Sequence, residues 1–79
     1  MRYAADMDRE EFLYHLAFAE QRAAEGLENI EKQRSLIRRL ERDGQDVTKA
    51  KAFMDIMVDL QALHEQLRDT IKQELDGGA

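Results

Sequence analysis

Between residues 12 and 40, Phe12, Leu16, Ala19, Ala23, Gly26, Ile30, Gln33, Ile37 and Leu40 recur at alternating steps of four and three. That spacing is the seam of a long helix built to lie along another helix. The chain has no proline and only four glycines. Strands need turns and turns need such residues, so the alternative to helix has little support. The charged fraction is 37%, but the charges are interleaved with apolar residues at helical spacing. Disorder calls for low hydrophobicity and unpatterned charge, and this chain has neither.

Seventy-nine residues make one domain. Residues 1–7 carry no period and read as a loose N-terminus. Asp8 and Glu11 have the spacing of a capping box, with Met7 and Phe12 at the staple positions. The expected helix spans 8–43 and the turn 43–46, with Gly44 suited to the left-handed residue after a helix end. Asp46 is the expected cap of a second helix over 47–75, with Thr48 its rival, and 76–79 form a tail. So short a connection makes the helices antiparallel neighbours.

The second helix carries Ala50, Phe53, Met57, Leu60, His64, Leu67 and Ile71 on its expected seam. Folding at the turn brings Ala23 and Gly26 opposite Leu63, His64 and Leu67. Gly26, in line with Ala19 and Ala23, reads as a place of close helix approach. A kink or a ligand slot there is the alternative.

The seams leave apolar surface over. Met54, Ile56, Val58 and Leu63 widen the arc of the second helix, and Tyr14 and Phe18 point away from Phe12 and Leu16. These six are the candidate interface residues. A two-helix hairpin of this size buries too little to stand comfortably alone. The expected fold is therefore all-α: an antiparallel hairpin pairing into a dimeric four-helix bundle.

The charge is divided by region. Residues 1–31 hold 3 basic and 8 acidic side chains, a net of −5, and residues 53–79 hold 2 and 6, a net of −4. Residues 32–52 hold 7 and 3, a net of +4. Two hairpins with turns at opposite ends would set each basic turn beside the other's acidic end. Lys32, Arg34, Arg38, Arg39 and Arg42, with Lys49 and Lys51, form a candidate basic patch. Its plain reading is a solvated face that complements the negative end of the first helix. The overall charge of −5 and the lack of aromatics in the patch disfavour nucleic acid.

Chemistry is sparse. There is no cysteine, hence no disulfide or thiolate site. His64 reads as a seam histidine with one hydrogen-bond partner. A di-iron helix motif would want Glu three residues before it, where Gln61 stands. His15 and Glu11 share a face but fall away from His64. Gln33 and Arg34 read as a polar layer that fixes register. Ser35, Thr48 and Thr70 lack an adjacent base. No catalytic, cofactor or metal residue is assigned. No apolar run reaches the ~18 residues of a membrane span, and Met1–Asp8 lacks a signal-peptide core; the expected location is the cytoplasm.

His15-Leu16-Ala17, Ala19-Glu20, Ala24-Glu25-Gly26, Ile30-Glu31, Gln33-Arg34, Leu40, Asp43-Gly44-Gln45-Asp46, Ala50, Leu63-His64 and Arg68-Asp69 resemble a group of short, uncharacterised alphaproteobacterial helical-hairpin proteins. The likeness spans roughly residues 12–75 and implies a helical hairpin, with no activity or site to carry over. In shape alone the architecture also resembles the Rop type of dimeric hairpin. The functional expectation is a non-enzymatic, self-associating interaction or regulatory module, a homodimer that can also take another protein partner. Its rivals are an RNA-binding hairpin using the basic middle and a metal or small-ligand bundle around His64.

Overall fold

The computed structural model describes residues 8–77. The readings placed on residues 1–7 and 78–79, and the Met7 staple, fall outside that range. Two helices, α1 (Arg9–Arg42) and α2 (Thr48–Gly77), pack against each other as an antiparallel hairpin 56 Å long. Among the described residues there is no strand.

Local chemistry sets the ends of α1. The Asp8 carboxylate accepts a 2.8 Å hydrogen bond from the Glu11 amide, satisfying one of the helix's free donors. Glu10 and Glu11 lie in the first turn and Arg39 and Arg42 in the last, each sign where the helix dipole favours it. At the C-terminus the Gly44 amide donates to Glu41 O and the Gln45 amide to Leu40 O, at 3.1 and 2.9 Å. This pair of bonds is the Schellman arrangement, which requires the left-handed conformation that Gly44 adopts at φ +74°. Helix α2 opens differently. The Asp46 carboxylate accepts from both the amide and the hydroxyl of Thr48, at 2.9 and 2.7 Å. These bonds hold the Asp46 carboxyl below its ordinary pKa, the backbone bond most strongly.

Helix α1 runs through Gly26 without a break. Its whole expected seam faces α2: Ala19, Ala23, Ile30 and Ile37 are buried, and Phe12, Leu16, Gly26, Gln33 and Leu40 are half-buried. Helix α2 departs from expectation. Its inward positions are Ala50, Met54, Met57, Gln61, His64, Arg68, Ile71 and Leu75, while Phe53, Leu60 and Leu67 stand exposed. The helix is thus turned about its axis relative to the apolar seam read from the sequence.

The reason lies at the centre of the hairpin. Ala19, Ala23 and Gly26 leave a shallow place on α1, and the amide of Gln61 fills it. Gln61 is only 5% exposed, and its Nε2 donates to Ala23 O and to Glu65 Oε2, both at 2.8 Å. Gln33, on α1, makes the converse bond, its Nε2 donating to Ala50 O at 3.1 Å. One glutamine from each helix therefore grips a backbone carbonyl of the other. Each bond is worth about 0.5–1.5 kcal/mol net, and the two together fix the register. Ala23 faces Gln61, which lies nearer the turn than Leu63, His64 and Leu67, the residues expected opposite Ala23 and Gly26.

Candidate interaction surface

With Gln61 turned inward, a second stripe of α2 faces away from α1. Phe53, Ile56, Leu60, Leu63 and Leu67 follow one another at steps of three and four, so they form one continuous ridge along the helix. All five are exposed, Leu63 by 60%. They cover the middle of α2 over about four turns. Such a pattern is the a/d seam of a helix that packs on another helix.

Helix α1 contributes to the same side. A hollow of about 310 Å³ is lined by Phe12, His15, Phe18 and Ala19 from α1 and by Leu67 and Ile71 from α2. A smaller one of about 110 Å³ lies nearer mid-hairpin, between Gly26 and Asn29 of α1 and Met57, Leu60, Gln61 and His64 of α2. The face thus joins the α2 ridge to the N-terminal half of α1. Arg22 crosses part of it, its guanidinium 5.4 Å from the Phe18 ring centroid. An exposed cation–π contact of this kind contributes about 0.5–1 kcal/mol and shields one face of the ring.

The six candidate interface residues divide. Ile56 and Leu63 lie on the ridge, and Phe18 lines the larger hollow. Tyr14, 71% exposed, stands beside His15 in an edge-to-face contact with centroids 5.8 Å apart. Val58 is exposed on the other flank of α2, and Met54 is half-buried against α1. Phe53, Leu60 and Leu67 belong to the exposed ridge although the sequence reading assigned them to the hairpin seam. The inward stripe runs at the same steps of three and four, so spacing alone does not separate the two.

The basic patch is partly occupied by local contacts. Arg34 Nε lies 3.6 Å from Glu31, Lys51 Nζ lies 3.3 Å from Glu41, and Arg38 donates to Ser35 Oγ at 3.2 Å. Lys32, Arg39 and Arg42 line an open hollow together with Glu31, Ser35 and Leu36. Near the other end, Arg68 Nε pairs with Asp69 at 2.9 Å. That hydrogen bond raises the Arg68 pKa, with Glu65 and Glu20 adding to it, and lowers the Asp69 pKa.

His64 does not have the hydrogen-bond partner expected of it. Its Nδ1 is buried and unpartnered, as is Oε1 of Gln61, and the bonded polar group at mid-hairpin is the Gln61 amide. His15 and His64 line different hollows. Among the described residues no three His, Asp or Glu side chains are placed to hold a metal, and no helix is long and apolar enough to cross a membrane. No protein-family model matches the chain, and neither a curated protein nor a solved structure shows significant similarity to it.

Proposed function

We propose that this chain is a non-enzymatic, self-associating helical-hairpin module that works through its exposed α2 ridge in the cytoplasm. The observation that carries the reading is the run Phe53, Ile56, Leu60, Leu63 and Leu67, apolar at every position and turned away from α1. Apolar side chains left singly on a surface are ordinary, but a ridge at heptad spacing is an interface pattern.

The direction of the ridge favours a bundle. Met57 and His64 point towards α1, Leu63 points well away, and Leu60 stands between them. The apolar arc of α2 is therefore centred between α1 and the neighbouring quadrant, where the axis of a four-helix bundle would pass. The cysteine-free composition suits a reducing compartment. Size-exclusion chromatography with light scattering over a range of concentrations tests the reading. It should give a mass near twice 9.2 kDa, decreasing on dilution; a constant monomer mass would refute self-association.

A further inference from the structure

We infer that the occupant of the α2 ridge is a second copy of this chain, packed antiparallel about a twofold axis near Leu60–Leu63, so that the two turns lie at opposite ends. The inference rests on the self-association reading and adds the seat, the orientation and the centre.

Position is the first support. The ridge runs from Phe53 to Leu67, and α2 runs from Thr48 to Gly77, so the Leu60–Leu63 segment lies at the middle of both. A twofold axis there lays one hairpin along the full length of the other, with no overhang. It pairs Ile56 with the partner's Leu67, and Leu60 with the partner's Leu63, in the a-to-d layers of an antiparallel helix pair. A parallel pairing would match the same ridge equally well, so the apolar surface alone does not choose.

Charge chooses. The turn region, residues 32–52, carries +4, and the two segments that meet at the open end carry −5 and −4. Parallel hairpins would bring +4 against +4 and acid against acid. Antiparallel hairpins set Lys32, Arg39 and Arg42 of each beside the acidic open end of the other. Exposed charges are screened beyond about 8–10 Å at ordinary salt, so they contribute little affinity. They suffice to decide between two orientations of one apolar seat, because like charges in the wrong orientation repel.

The chain's lack of cysteine makes single-site labelling clean. Gln45 is exposed in the turn, and only its backbone amide takes part in the helix cap, so Gln45→Cys leaves the fold intact, as circular dichroism would verify. A spin label there, read by double electron–electron resonance on a sample whose mass is measured alongside, reports the distance between turns. A dimer with labels about 45–50 Å apart is expected, from some sixteen residues on each side of the axis, all but Asp46 and Val47 in helix. A dimer with labels within about 20 Å, roughly two helix diameters, would overturn the antiparallel arrangement while leaving self-association in place. A monomer would overturn both and leave the ridge to a different protein. Mixed Ile56→Cys and Leu67→Cys chains give a second reading. Disulfides between unlike chains are expected, and disulfides only between like chains would contradict the pairing.

Discussion

The Oε1 atom of Gln61 occupies the space in which a side chain at Gly26 would begin. A Cβ built on Gly26 would overlap that oxygen and lie 2.9 Å from Gln61 Cδ. The glycine therefore serves the packing of another residue, since its backbone lies in ordinary helix. An interior helical glycine costs about 1 kcal/mol relative to alanine. The cost is offset here by the seat it gives to Gln61, the one buried polar side chain among the described residues, and by the Nε2 bond to Ala23 O.

A double-mutant cycle tests this coupling. Gly26→Ala alone must displace the Gln61 amide and give up its bond, so the helix-propensity gain is cancelled or reversed. In a Gln61→Ala background the space is open, and the same change should stabilise by about 1 kcal/mol. Urea denaturation of the four proteins should show an interaction energy of about 1–2 kcal/mol. Equal gains in both backgrounds would mean that the two residues do not meet.

Gly44 holds the left-handed conformation that closes α1. With nothing within 4 Å of a Cβ at this site, the penalty for Gly44→Ala is conformational only. Thermal melting should show a loss of about 1–2 kcal/mol. An unchanged midpoint would mean that the cap has another geometry.

Asp46 and Asp69 both have folded pKa values below the ordinary aspartate value, the first through bonds from Thr48 and the second through Arg68. For a depressed carboxylate the stabilisation is complete above the unfolded pKa, about 3.9, and is lost as pH falls through the folded value. The hairpin should therefore lose stability below about pH 4. Asp46→Asn retains an oxygen for the Thr48 amide but not the titrating charge. It should flatten the acid limb of a stability-against-pH curve, whereas an unaltered limb would show that Asp46 contributes nothing to it.

Much of this hairpin is legible in the sequence, but unevenly. The α1 stripe is legible because one face of that helix is apolar or small from Phe12 to Leu40, Gln33 excepted, and that face is the seam. Helix α2 carries two interleaved stripes. Counting apolar residues assigns the richer one to the hairpin, yet the mixed stripe through Met54, Gln61 and Arg68 is the one turned inward. Its placement depends on the fit of the Gln61 amide beside Gly26, a tertiary relation between residues far apart in the chain. Periodicity has no access to it. The small run Ala19, Ala23 and Gly26 hints that something enters there, without saying that it is an amide. The exposed ridge is hidden in the sequence for the same reason, since a count of apolar residues turns Phe53, Leu60 and Leu67 inward and leaves only Ile56 and Leu63 of the ridge over.

The ridge should be sensitive to charge. Ile56→Glu and Leu63→Glu each place a carboxylate in the proposed dimer seam, where burial without a partner is costly. Both side chains are exposed in the single hairpin, so helix content by circular dichroism should survive better than association. Val58→Glu, on the other flank, should leave association unchanged and serves as the control.

Sedimentation equilibrium of the unmodified protein beside Leu63→Glu tests the central claim most directly. The account predicts a reversible dimer, twice the 9.2 kDa chain, for the former and a dissociation constant at least tenfold weaker for the latter. An unmodified protein that sediments as a 9.2 kDa monomer throughout, or a dimer indifferent to Leu63→Glu, would contradict it.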